Sequence, residues 1–385
     1  MTAAASFALY VHVPWCRHVC PYCDFNVQAR RVLPEADDLA AFTAELDAWA
    51  GESPFAGATV ASVFIGGGTP SLYSPRTVAA LLAHVARRFS LEQGSEITLE
   101  ANPGTLDAEK LAGFRAAGAN RLSLGVQSFD DGVLRVLGRD HTAADAHAAI
   151  TASRAAGFEN LSFDLIFGVP GQTPAQWARD LDVTLALGPE HVSTYALTYE
   201  PGTPLHRWSE EGRVVPVDED DEATMLDLAC LRLAAAGYER YEISSHARAG
   251  FASRHNQRYW DGSSYLGIGP GAHSFAATPL PGRRWANERD PQRYRELVGV
   301  HGRAVATSED LTPARAESDF VMTGLRRLVG VELDDFARRF GHRLEDALPQ
   351  VESLAANALV ERVGGRLRLT AHGLRFADTV WTALV

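Results

Sequence analysis

Residues 10–26 read YVHVPWCRHVCPYCDFN, a β-branched run that breaks at Pro14 into a loop carrying Cys16, Cys20 and Cys23. The 385-residue chain has one other cysteine, Cys230. Three cysteines at C-x3-C-x2-C are no disulfide framework in a chain this long, and they predict a reduced thiol site in a cytoplasmic protein. A structural zinc would need a fourth protein ligand, from His12, His18 or Cys230. An iron–sulfur cubane instead takes three thiolates from one tight loop and leaves its fourth iron open to an external ligand. Cys230 falls on the apolar face of a helical stretch and reads as a small buried hydrophobe.

Outward from this loop the chain alternates between two textures. Short β-branched runs (ALYVHV, VASVFIG, EITLEA, RLSLGVQS, LSFDLIFGV, HVSTYALT) are separated by Ala/Leu-rich segments with helical spacing, such as RTVAALLAHVARRF and ADAHAAITASRAAG. Six such units predict an α/β fold, a partial (β/α)6 TIM-like barrel over residues 1–215. Residues 216–305 predict an acidic-capped helix, a short strand at RYEIS, and then loops packed on the barrel, because HNQRYWDGSSYLGIGPGAHSF is dense in Gly, Ser and aromatics. Residues 306–385 turn helical again around a GG hairpin and predict a mainly helical, winged-helix-like domain with a structural or lid role.

In a parallel barrel, functional groups collect at the C-terminal strand ends. Here the first such end is the cysteine loop and the second is GGGTP, Gly66 to Pro70. The next three carry Glu100 in TLEANPG, Gln127 in LGVQSF and Asp164 in FDLIFGVPGQT. GGGTP lacks the Lys and Ser/Thr of a phosphate loop, and it is no G-x-G-x-x-G fingerprint. Its glycines bare a backbone whose N–H and C=O groups can hold an amine and a carboxylate.

Composition narrows the classes. A net charge of −12 argues against sequence-independent nucleic-acid binding. No apolar run approaches the ~20 residues of a transmembrane segment. The opening MTAAASFALYVHVP lacks a basic n-region, so no signal peptide is predicted.

With the cysteine loop followed by GGGTP, the chain resembles the radical S-adenosylmethionine (SAM) superfamily. More narrowly, YVHVPWC, PYCDFN, IGGGTPS, EANPGT, RLSLGVQSF, DLIFGVPGQT and EISSHA resemble the oxygen-independent coproporphyrinogen III oxidase-like family, from residue 7 to about 275. The resemblance implies a [4Fe–4S] cluster on Cys16, Cys20 and Cys23, whose open iron is chelated by SAM. One electron would then cleave the sulfonium to a 5′-deoxyadenosyl radical. It further implies that Tyr10 packs near the cluster and SAM, and that Gly67, Gly68 and Thr69 bind the methionyl end. Glu100, Gln127, Arg139 and Asp164 would make the remaining polar contacts to SAM. No catalytic residue is assigned beyond the cluster.

Two departures bear on the finer assignment. The oxidases follow the third cysteine with another two positions on, where this chain has Phe25, and they carry an extra segment before the first strand. Both features match instead the HemW-type haem chaperone branch, as does H-N-x-x-Y-W, here His255 to Trp260. That branch implies haem as cargo, His255 as its ligand and apo-haemoproteins as recipients. His246, His273 and Cys20 are further candidate ligands. Haem attachment through C-x-x-C-H is excluded, since CPYCD has no such His. The resemblance also leaves room for a homodimer and for peripheral membrane association. The alternatives are a radical SAM coproporphyrinogen III oxidase, converting propionates to vinyl groups, and a zinc-stabilised α/β protein without radical chemistry.

Overall fold

A computed structural model describes residues 6–384. Strand β1 (Ser6–Val13) leads into the cysteine loop, which is closed by a short parallel ribbon of β2 (Trp15–Cys16) and β3 (Gln28–Ala29). Helix α1 (Glu35–Ala50) is followed by β4 (Thr59–Gly67), α2 (Pro75–Arg88), β5 (Ser90–Ala101) and α3 (Ala108–Ala117). Then come β6 (Arg121–Gln127), α4 (Asp131–Val136), α5 (Ala143–Ala155), β7 (Leu161–Phe167), α6 (Pro174–Leu187) and β8 (His191–Ala196). The helices start where side chains cap them: Ser74, Asp107 and Asp130 accept backbone N–H bonds, and Thr142 and Thr173 complete capping boxes. Gly118 and Gly188, both left-handed, end α3 and α6 as their places after the Ala/Leu runs predict.

Strands β1 and β4 to β8 are parallel and lie side by side in chain order. The period of two divides each strand between two faces. Leu9, Val11, Val63, Ile65, Leu99, Leu124 and Phe163 point outward into a single core under the helices. Their alternates, among them Tyr10, Ser62, Glu100, Ser123, Asp164 and Ser193, line the concave face, which is therefore largely polar.

The sheet is larger than six units. It has twelve strands: after α7 (Pro204–Glu210) and α8 (Glu219–Ala235), strands β9 (Glu239–Arg240) and β10 (Ser245–Ala247) extend it by two beyond β8, and four more are added beyond β1. The stretch predicted as loops instead folds regularly into α9 (Arg254–Trp260), β11 (Tyr265–Ile268) and β12 (His273–Ala276). β11 pairs in parallel with β1, and β12, β13 (Arg283–Asn287) and β14 (Val305–Asp310) continue antiparallel, with α10 (Pro291–His301) between the last two. Strands of four residues are too short to show a period, and Gly267 disguises β11 further. It is there because a Cβ would stand 2.2 Å from the His273 carbonyl oxygen.

The C-terminal residues build a second core, from Phe320 to Leu384. Three antiparallel strands (Val331–Glu332, Val360–Val363, Arg366–Leu369) lie among short helices, as in a winged-helix-like module. The hairpin turns on Gly364 and Gly365 with φ of 58° and 75°.

Candidate functional site

The cysteine loop is held from three sides. From below, the Gly68 N–H donates to the Val13 carbonyl (2.7 Å) and the Thr69 N–H to the Trp15 carbonyl (2.8 Å). Behind it, the Trp15 indole donates to the buried Asp38 carboxylate at 2.6 Å, which also takes the Tyr73 hydroxyl and the Arg295 guanidinium. From the far side, the Leu205 N–H donates to the Pro21 carbonyl, and Tyr22 packs on a small apolar cluster containing Val133, Ile166 and Leu205.

All three thiols are free and half-buried. Thr69 Oγ1 lies 3.5 Å from Cys16 Sγ, and Arg139 Nη1 lies 3.6 Å from Cys20 Sγ, so two sulfurs have a donor ready for thiolate charge. Among the described residues, no three His, Cys, Asp or Glu side chains converge on one ion position. Of the fourth ligands a zinc site would draw on, His12 has both nitrogens engaged, by the Tyr10 hydroxyl and the Asn26 carbonyl. Cys230 stands on α8 beside Arg240. His18 lies on the loop itself, at the cavity, and three thiols on one loop suit three corners of a polynuclear cluster.

Facing them is a cavity of about 410 Å³, lined by Cys16, Cys20, Cys23, Gly67, Gly68, Thr69, Glu100, Gln127, Arg139 and Asp164. Every SAM contact expected from the sequence is thus gathered here except Tyr10, which faces a neighbouring cavity. The glycines answer to packing as well as to ligand access. A Cβ on Gly68 would come within 2.5 Å of the Trp15 carbonyl, and one on Gly67, whose φ is +110°, within 2.6 Å of the His12 ring. Gly67 N–H donates to Glu100 Oε2 at 3.0 Å.

Burial, and then the Asp164 charge, push the Glu100 carboxyl up to about 8. Asp164, which takes the Ser123 hydroxyl at 2.9 Å, is also raised by burial. Two such carboxyls are suited to hold hydroxyls or an ammonium. Arg139 is fixed by its bond to the Gly125 carbonyl (3.0 Å), and Gln127 adopts a left-handed φ of 65°, rare outside glycine.

Tyr195 and Ser123 line the same cavity and were missed in the sequence, although strand alternation on β6 and β8 places them there. Asn26 closes the quoted PYCDFN motif and was also missed. Its amide donates to the Pro270 and Arg289 carbonyls, tying the loop to residues more than two hundred positions on.

The structure places His255, the expected haem ligand, in the interior. It is 1% exposed, with Nδ1 3.0 Å from the Ser62 hydroxyl and Nε2 2.8 Å from the Tyr259 hydroxyl. Both ring nitrogens are thus engaged by hydroxyls. The spacing of four that brings His255 and Tyr259 together is that of one helical turn on α9, and Glu96 caps this helix through the Arg254 and His255 N–H groups. His246 is likewise buried, whereas His273 is exposed.

A cysteine loop over a glycine-rich strand end, on a parallel partial barrel, defines a radical SAM protein. The Radical SAM superfamily model matches residues 10–183, and the HemN C-terminal domain model matches residues 311–376. In fold, the chain is similar to coproporphyrinogen III oxidase (HemN) from Escherichia coli, with a TM-score of 0.85 over 99% of this chain and 90% of that one, at 23% identity. In sequence it is 34% identical to "Heme chaperone HemW" of Bacillus subtilis over 98% of each chain. It is 38% identical to the protein of that name from Mycobacterium tuberculosis, over 98% of this chain and 95% of the relative. The mouse "Radical S-adenosyl methionine domain-containing protein 1, mitochondrial" is 36% identical over 100% of this chain and 88% of its own. The chain belongs to the HemW family.

Proposed function

We propose that this protein is a haem chaperone that holds a [4Fe–4S] cluster and SAM, binds haem and passes it to apo-haemoproteins. End-to-end relation to proteins named heme chaperone carries this reading. The cavity supports the cofactors: Cys16, Cys20 and Cys23 would hold the cluster, with Thr69 and Arg139 donating to sulfur. Gly67, Gly68 and Thr69 would present bare backbone to the methionyl amine and carboxylate. Glu100 and Asp164 would accept hydroxyl or ammonium protons, with Gln127 and Arg139 closing the polar rim. When bound, the cluster supplies a single electron at low potential. Tyr10 would act from behind, by holding His12 and through it the Gly67 turn.

A reducing compartment, the cytoplasm, would keep the half-buried thiols competent for iron. No helix among the described residues is long and apolar enough to cross a membrane, so membrane-bound recipients would be reached by peripheral contact.

The test is a transfer assay. Haem-loaded, cluster-reconstituted protein is mixed anaerobically with apo-myoglobin, and a parallel sample receives coproporphyrinogen III, SAM and a reductant. The expected outcome is growth of the myoglobin Soret band with no vinyl product. Vinyl product without transfer would replace this reading with the oxidase.

A further inference from the structure

Across a shared wall of Phe25, Gly67 and Glu100 lies a second cavity, of about 800 Å³. That volume is within the roughly 300–1,000 Å³ that encloses cofactor-sized ligands. Its floor is the extension of the sheet beyond β1. Gly267 lies beside Tyr10, and His273 pairs with Ala286, which in turn pairs with Thr307. Small side chains at 286 and 307 leave the floor low, and Phe25, Tyr259 and Tyr265 give the walls aromatic faces.

Two histidines reach this space. The nitrogens of His12 are both committed, as described above. His273 is exposed, and among the described residues its ring has no hydrogen-bond partner. Arg289, at the same rim, is also exposed. Its Nε makes a long 3.5 Å contact to Asn26 Oδ1, and among the described residues it pairs with no carboxylate. The cavity is also lined by the Glu100 and Glu288 carboxyls, but its open imidazole, its guanidinium without a carboxylate partner and its aromatic faces suit a flat, largely apolar molecule that carries a metal and a carboxylate at its edge. Imidazole nitrogen ligates porphyrin iron, the guanidinium fork pairs with carboxylate, and aromatic rings cover a macrocycle.

We propose that this second cavity is the haem seat, with His273 the axial ligand to iron and Arg289 the partner of a propionate. The assignment rests on the haem chaperone reading and moves the ligand from the buried motif histidine to an open one on β12. Phe25, 66% exposed, stands between the haem and the cluster cavity. A cysteine there would put a reactive thiol in that wall, whereas phenylalanine presents an inert apolar face.

The experiment is an anaerobic haemin titration of the cluster-reconstituted full chain, followed by the Soret band and by electron paramagnetic resonance. Wild type is expected to saturate at one haem per chain. His273→Ala, whose cluster iron should be unchanged because the side chain is exposed, is expected to bind at least tenfold more weakly with an altered ligand signature, and added imidazole should restore the wild-type spectrum. His273→Cys should convert the spectrum to a thiolate type. Arg289→Gln should weaken binding about fivefold to tenfold while leaving the spectrum alone. If wild type saturates but His273→Ala binds with the same affinity and spectrum, His273 is not the ligand, and the chaperone reading stands. If wild type shows no saturable binding, the chaperone reading fails together with the seat.

Discussion

The two cavities meet at Glu100 and Gly67 yet are built in opposite ways. The cluster cavity draws on consecutive βα strand ends, each written as a compact motif. The second cavity draws on β1, α9 and the antiparallel extension, where single residues more than two hundred positions apart are brought together by pairing. In the first, polar groups are buried and hold one another in place. In the second, an imidazole and a guanidinium are left open. The difference teaches that a conspicuous motif histidine can be held inside by its neighbours, while a second candidate on the sheet extension is left open. His255 supports the barrel floor, and His273 faces space.

The largest expected effect lies in the cluster cavity. Replacing Cys16, Cys20 and Cys23 together with Ala should abolish cluster iron and the visible absorbance of the reconstituted protein. Iron content equal to wild type would remove the distinction between the cavities as assigned.

Next, His255→Ala should lower stability by about 2–4 kcal/mol, because it leaves the Ser62 and Tyr259 hydroxyls unpaired in the interior. His273→Ala should stay within about 0.5 kcal/mol of wild type. Denaturant titration of both variants decides whether one histidine is structural and the other free.

Gly68→Ala should cost about 1–3 kcal/mol, since the new Cβ meets the Trp15 backbone, which cannot swing aside. SAM affinity, measured by equilibrium dialysis, should fall with it. A Gly68→Ala protein as stable as wild type would show that the strand end has slack.

The last effect is a slope. Glu100 is raised from an ordinary 4.5 to about 8, so between those values the folded protein keeps a proton that the unfolded chain has lost. Stability of the cofactor-free protein should therefore fall as pH rises through that window. Glu100→Gln should make Tm against pH shallower without flattening it, because buried Glu45, raised to about 7, contributes in the same direction. An unchanged slope would mean that Glu100 is solvated in the cofactor-free protein.

Much of this could be read from the chain. The β-branched runs and their glycine stops mark the parallel strands, because the outer faces of those strands are buried under helices and their apolar alternates recur over long stretches. The cysteine loop and the strand-end carboxyls could be found because each is local: a few adjacent residues carry the whole signal. The second half of the sheet was hidden for a physical reason. β11 and β12 have four residues each, and Gly267 in β11 with Gly269 and Gly271 between the two, needed for close approach, look like loop residues. The motif His255–Trp260 was visible, but whether its imidazole points at a ligand or at Ser62 depends on which strand α9 covers, and no periodicity records that.

By itself, then, the sequence determined the chemistry of the first site: three thiols on one loop, bare glycines on the next strand end and acids beyond, since covalent spacing and strand alternation act over a few residues. Only the tertiary structure decided which histidine is locked and which is open, and that Asn26, Phe25 and Arg289 share a rim with His273. Those relations come from strand pairing across the β1–β11 seam and from burial, which are set by the packing of distant segments rather than by any stretch of chain.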